Sequence, residues 1–127
     1  MQNKEIYEYA IIRFVPKVER EEFINIGVIV LCKRKKYLQL RYEIDEERLT
    51  AFSQDADVEM IGNYLKGWEL MTKGGTAGGR IGEMDIHVRF RWLTADRSTI
   101  IQSSKVHPGI GFAGDETIDR IFAKYVS

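Results

Sequence analysis

The stretch "INIGVIVLC" (residues 24 to 32) constrains this chain more than any other. It is a near-continuous apolar run dominated by β-branched residues, well short of the roughly 18 residues a membrane span needs. It therefore reads as a buried β-strand. The preceding stretch, "IYEYAIIRFV" (6 to 15), is rich in β-branched and aromatic residues, and both of its alternating sets are largely apolar. Such a strand lies inside a sheet, and Pro16 ends it. After "KRKK", the segment "YLQLRY" (37 to 42) alternates, with Leu38, Leu40 and Tyr42 on one side and Tyr37, Gln39 and Arg41 on the other. Two strands joined by a short polar link predict an antiparallel hairpin. "VEREEF" (18 to 23) is a loop or short turn.

The period then changes. Asp45 is a good N-cap, with Ile44 placed to pack on Leu49, and a short helix runs to Phe52. Asp57 caps a longer helix in which Val58, Ile61, Leu65 and Trp68 recur at helical spacing. "TKGGTAGGRIG" (72 to 82) stops it and reads as a mobile loop. Residues 84 to 93 fit two patterns, a strand through Met84, Ile86, Val88, Phe90 and Trp92 or a helix face through Ile86, Phe90 and Leu93. "STIIQS" (98 to 103) reads as a strand. Asp115 caps a final helix carrying Ile118, Ile121, Phe122 and Tyr125 on one stripe. There is no repeat, linker or low-complexity segment. The expected fold is one α+β domain over residues 1–127, with helices packed on a mostly antiparallel sheet of about four strands and a C-terminal helix.

Length and charge narrow the function class. With 127 residues, the chain has room for one ordinary domain. Lys plus Arg and Asp plus Glu number 19 each, so the formal net charge is zero. A dedicated DNA-binding domain carries a positive excess, because phosphate neutralisation drives its affinity. Nucleic acid is thus not favoured as a partner, although the charge is partly segregated: 42 to 59 is acidic and 89 to 98 basic. The N-terminal "MQNKEIYEY" lacks the apolar core of a signal peptide. The lone Cys32 sits inside an apolar run, which suits a reducing cytoplasm. The expected protein is cytoplasmic and engages no membrane.

Several motifs dissolve on inspection. Gly109-x-Gly111-x-x-Gly114 resembles a dinucleotide-binding loop, but the chain ends 13 residues after Gly114. No second strand or ribose-binding acid can follow. The expected structure there is a turn into the terminal helix. "GGTAGG" has the glycine spacing of a phosphate loop, but Arg80-Ile81 stand where Lys and Ser/Thr are required. "CKRKK" is a solvated hairpin tip. His87 and His107 are the only histidines and no ligand pair has metal spacing, so no metal site and no cofactor are expected.

Two polar stretches remain. In "ADRSTIIQSSKVHPG" (95 to 109), Arg97, Ser98 and Thr99 enter a strand, Gln102 lies within it and His107 just beyond. Either these form a site, with Arg97 as an anion clamp, Ser98 or Thr99 as donors and His107 as acid or base, or they satisfy backbone and turns locally. In "RFVPKVEREEFINIGV" (13 to 28), Arg13 lies on a buried strand and needs a carboxylate, which Glu19, Glu21 or Glu22 can supply. Asn25 can hold the turn, and Gly27 marks a bulge or a close backbone approach. The functional reading joins Arg13, Glu19, Arg20 and Asn25 to the Arg97–His107 segment as one polar pocket at a sheet end.

These two stretches carry a resemblance. "YEYAIIRFVPKVEREEFINIGVIVLC", followed late in the chain by "RFRWLTADRSTIIQSSKVHPGI", resembles an uncharacterised bacterial family catalogued only as a domain of unknown function. The likeness covers almost the whole chain and is loose across 43 to 83. It rests on Glu19-Arg20 before Phe23-x-Asn25-x-Gly27-Val28, on Arg97-Ser98-Thr99-x-x-Gln102, and on Val106-His107. Asp96 and Lys105 stand where proline is expected, Pro108 where threonine is, and Glu21 where glycine is usual. The resemblance implies a small cytoplasmic bacterial protein, often encoded beside HipA-like serine/threonine kinases, and hence such a kinase as partner. It implies no known activity.

Two functions follow. The first is a non-enzymatic interaction or accessory module with an exposed apolar patch around Trp92 or Trp68. The second is a small phosphate-ligand binding protein or enzyme, acting on a nucleotide or nucleic acid, in which Arg13, Arg20 and Arg97 hold charge while His107 and Glu19 move protons. The first is preferred. The ligand, the partner's identity and the oligomeric state are not written in the sequence.

Overall fold

The computed structural model describes residues 4–111 and 114–127. Its centre is an antiparallel sheet built from β1 (Glu5–Phe14), β2 (Ile24–Cys32) and β3 (Tyr37–Tyr42). The far edge of β1 carries two short strands, β4 (Ile101–Ser103) and β5 (His107–Gly111). The order is β3-β2-β1-β4, with β5 also on β1. Five helices complete an α+β fold: α1 (Glu46–Phe52), α2 (Val58–Lys73), one-turn α3 (Gly79–Gly82), α4 (Ile86–Thr94) and C-terminal α5 (Asp115–Tyr125).

Helices cover both faces of the sheet, which is why both alternating sets of β1 and β2 are largely apolar. On one face Ala10, Ile12, Ile29 and Leu31 meet Leu49 of α1, Ile61, Leu65 and Trp68 of α2, and Phe90 and Leu93 of α4. On the other, Ile11, Val28, Val30 and Cys32 meet Ile118, Ile121 and Phe122 of α5. Two of the three expected caps form: Asp45 accepts from the Arg48 N–H and Asp57 from that of Met60.

Gly27 satisfies both expectations made for it. Ile12 pairs with Gly27 but Arg13 pairs with Asn25, so Ile26 is an extra residue in β2. A Cβ at Gly27 would also lie 2.8 Å from the Arg41 carbonyl.

Four expectations are corrected. Gly109 and Gly111 form no turn; they lie in the short edge strand β5, opposite Tyr7 and Glu5. A Cβ at Gly109 would stand 2.3 Å from the Tyr7 ring that crosses it. Pro108, which has no N–H to donate, is tolerated because β5 is an edge strand. Secondly, the strand expected at 98–103 begins only at Ile101. Thirdly, α5 is capped by Gly114 without a side-chain bond, and Asp115 instead accepts a hydrogen bond from the Tyr37 hydroxyl at 3.1 Å. Fourthly, 72 to 82 is not an open loop. The helix runs to Lys73, a 3-10 turn spans Thr76–Gly78, and α3 follows. Gly78 and Gly82 are buried there because their α-carbons press on the backbone of Leu70 and of Gly75. The ambiguous stretch 84 to 93 resolves as helix, since its apolar set Ile86, Phe90 and Leu93 faces the core. Phe112 and Ala113, part of the opening into α5, lie outside the described residues.

Ser104 joins β4 to β5 across the break. Its backbone N–H donates to the Ile11 carbonyl at 2.8 Å. Its Oγ accepts from the Ile11 N–H at 2.8 Å, where a strand would offer a carbonyl. Ile11 and Ser104 are both buried, at 4% exposure each. Ser104→Ala leaves that N–H without a partner and should cost about 1–3 kcal/mol in a urea unfolding midpoint. A change under about 0.5 kcal/mol would show that another acceptor replaces the hydroxyl.

Candidate functional site

The sheet end where β1 leaves toward the 3-10 turn Val18–Arg20, and where the chain returns from α4 into β4, forms an open cleft of about 370 Å³. Arg13, Val15, Val18, Glu21, Phe23, Arg97, Ser98 and Gln102 line it. Arg13, Asn25 and Gln102 occupy one row across β2, β1 and β4, since Arg13 pairs with both others. The odd residues of β1 face α5, so this row lies on the α5 side.

Arg13 lacks the carboxylate expected for it. None of Glu19, Glu21 and Glu22 forms an ion pair with it, and Arg20 takes Glu22 at 2.6 Å. The guanidinium instead lies over the Phe23 ring, 3.9 Å from its centre. A cation on a ring gains about 0.5–1 kcal/mol at exposed sites, but a ring accepts no ordinary hydrogen bond. The buried Nε consequently has no hydrogen-bond partner among the described residues. Burial lowers the guanidinium's pKa from its ordinary value, because desolvation penalises the charged form.

Arg97 repeats the arrangement across the cleft. Its guanidinium stacks on Trp92 at 4.5 Å and reaches Trp68 at 5.3 Å, while Nη2 donates to the Trp92 carbonyl. It too forms no ion pair among the described residues. Trp92 is 40% exposed and Phe23 is 42% exposed, so each arginine sits on a ring that faces solvent. Trp68, an expected patch residue, is 3% exposed and belongs to the core.

The remaining candidates divide. Ser98 lines the cleft. Thr99 donates to the Ile101 carbonyl and Gln102 donates to that of Thr99, so these two close a local turn. Gln102 nonetheless lines the cleft. Asn25 lies beside Arg13 but donates to the Tyr125 carbonyl at 3.1 Å, fastening the end of α5 to β2. Glu19 is exposed on the 3-10 turn. Arg20 lines a different cleft, with Phe52 and Asp55. His107 is on the same side of the sheet as Arg13, but opposite Tyr9, whose ring centre is 5.5 Å away. Tyr9 and Arg13 are four residues apart on β1, about 13 Å. The structure thus gathers Arg13, Arg97, Ser98 and Gln102, and leaves Glu19, Arg20 and His107 outside the cleft.

Sequence reasoning missed Phe23 and Trp92 as members of the site. The available signal was an arginine on a buried strand with no neighbouring carboxylate fixed in place, a situation that a ring can also meet. Chemically, the cleft offers guanidinium and hydroxyl donors to an acceptor-rich group. Among the described residues there is no cluster of three His, Cys, Asp or Glu placed to hold a metal, and no helix long and apolar enough to cross a membrane.

No curated protein and no solved structure matches the sequence. One family does, described as "Protein of unknown function (DUF3037)", over residues 9–126. That match takes in both arms of the cleft and nearly the entire fold, and the chain belongs to the DUF3037 family.

Proposed function

We propose that this protein is a non-enzymatic interaction module of the bacterial cytoplasm, an accessory that docks on a HipA-like serine/threonine kinase. One observation carries the docking surface. Met84, Val88 and Trp92 are 40%, 38% and 40% exposed, and they follow one another at intervals of four residues. Val88 and Trp92 lie four residues apart within α4 and share one of its faces, Met84 lies in the turn just before the helix, and the apolar pair ends at Arg97, which stacks on Trp92. Tryptophan and arginine side by side, partly desolvated and unpaired, are the residue types that dominate protein interfaces. The kinase enters from the likeness of the two end segments to a family encoded beside such kinases.

The competing reading as an enzyme asks for an acid or base in the cleft. Its candidates, His107 and Glu19, do not line the cleft that Arg13 and Arg97 share. The one carboxylate that does line it, Glu21, is exposed, and the two guanidiniums beside it favour holding a charged group in place.

The test is co-purification of the tagged protein with a HipA-like kinase of the same cell, followed by titration calorimetry. A stable complex is expected, weakened at least about tenfold by Val88→Ser with Trp92→Ala, since buried interface tryptophans are commonly worth about 2 kcal/mol or more. A complex indifferent to this pair, or no complex, would refute the reading.

A further inference from the structure

We propose that the cleft between Arg13 and Arg97 is a binding site for a phosphate monoester. The inference shares Arg97 and Trp92 with the docking surface, and it rests on that reading only where the phosphate is carried by the protein partner.

The cleft holds two guanidinium groups that no carboxylate among the described residues pairs. Four cations have a carboxylate partner: Arg20 with Glu22 at 2.6 Å, Arg34 with Glu5 at 3.7 Å, Lys73 with Glu69 at 3.8 Å, and Arg41 with Asp119; what distinguishes Arg13 and Arg97 from the other unpaired cations is that they share a cleft. Arg13 and Arg97 line one cleft and neither has an ion pair among the described residues. Holding two like charges at one sheet end is unfavourable unless something negative joins them.

Their donors are also unspent. Arg13 Nε is buried without a hydrogen-bond partner. Arg97 commits one terminal nitrogen to the Trp92 carbonyl. Phe23 and Trp92 back the two guanidinium planes at 3.9 and 4.5 Å, which restrains their orientation without consuming an N–H. The Ser98 hydroxyl lines the same space.

The ligand's charge decides its class. A carboxylate carries one negative charge and would leave the second guanidinium unmatched. A phosphate monoester carries about −1.5 to −2 at pH 7 and has three strong acceptor oxygens. It matches two guanidinium forks, each of which binds phosphate bidentately. Glu21 is the one carboxylate lining the cleft. It is exposed and stands at φ 59°, a left-handed conformation that glycine adopts without strain. Glu21→Gly therefore removes the opposing charge and suits the backbone.

The experiment is a titration of the whole protein with inorganic phosphate, followed by two-dimensional 15N NMR that includes the arginine Nε–H signals. Saturable shifts should centre on residues 13, 97, 98 and 102 and weaken with added salt. Arg97→Gln should lower the affinity about tenfold. Glu21→Gly should raise it several-fold with no fall in thermal midpoint, an effect that damage to the fold cannot imitate. A nucleoside 5′-monophosphate and a short phosphopeptide then identify the source. Tighter binding of the peptide places the phosphate on a protein partner, and tighter binding of the nucleotide places it on a free ligand. Absence of saturable shifts with all three probes, or shifts undiminished in Arg97→Gln, overturns the proposal. A kinase complex that survives Arg13→Gln but is lost with the Val88 and Trp92 substitutions would leave the docking reading standing without the phosphate site.

Discussion

Trp68→Ala is expected to remove about 3–5 kcal/mol of folding stability. Trp68 is 3% exposed and completes the α2 stripe of Ile61, Leu65 and Trp68 that faces the sheet. Its ring packs on Tyr64 with centres 5.9 Å apart. Truncation loses the transfer free energy of an indole and leaves a cavity that α4 and the sheet cannot both close upon. Domains of this kind have only about 5–15 kcal/mol in total, so a large share of the folded state's advantage goes. The effect should reach the cleft as well, because Arg97 lies 5.3 Å over the same ring. Trp68→Phe keeps an aromatic surface there and should cost markedly less. Urea unfolding followed by circular dichroism measures both variants. A loss below about 1 kcal/mol for Trp68→Ala would mean that the indole is a surface group, as one sequence reading allowed.

That reading shows where sequence was and was not sufficient. The two apolar strands and the hairpin were legible because β1 and β2 are buried on both faces, so nothing competes with their pattern. Asp45 and Asp57 were legible because capping is decided within four residues. The fifth strand was not, since Pro108, Gly109 and Gly111 carry turn chemistry. Only pairing with β1, about a hundred positions away in the chain, makes them a strand. The glycines at 74 to 82 suffered the same confusion between freedom and closeness. Gly78 and Gly82 are small because backbone lies against them. Trp68 and Trp92 both looked like patch residues, and the turn of two helices about the core decided between them. Within the site, the polar members Arg13, Arg97, Ser98 and Gln102 were visible by type. Their separation from His107 was not, because the length of β1 between Tyr9 and Arg13 sets it, nor was that from Glu19 and Arg20, which the 3-10 turn Val18–Arg20 carries away from the cleft. Glu21 is instructive in the other direction. The family resemblance expects glycine there, and φ 59° is the physical reason.

Arg89→Met should cost about 2–4 kcal/mol, although no carboxylate is lost. Arg89 is 8% exposed, and its Nη1 donates to the carbonyls of Met71 and Thr72 at 3.2 and 3.0 Å. Those carbonyls belong to the last turn of α2, where intrahelical donors run out and the helix dipole is negative. Replacing a buried ion pair by apolar side chains is often neutral, because both charges go together. Here only the cation would go. Methionine fills much of the volume of the arginine stem, but it leaves two carbonyls buried against an apolar side chain. The surrounding turn is built for the guanidinium. Gly74, at φ 85°, would place a Cβ 2.4 Å from Nη1, so the chain must pass this point as glycine. Arg89→Lys should recover part of the loss, since an ammonium keeps a charged donor at the helix end but on a shorter stem with different reach. Gly74→Ala should impair the same junction from the other side. If the two defects act through one contact, the double variant will lose less than the sum of the singles. Equilibrium unfolding of the four proteins decides the matter. An Arg89→Met variant within about 0.5 kcal/mol of wild type would show that water or a shifted donor satisfies α2, and that its last turn is held by packing alone.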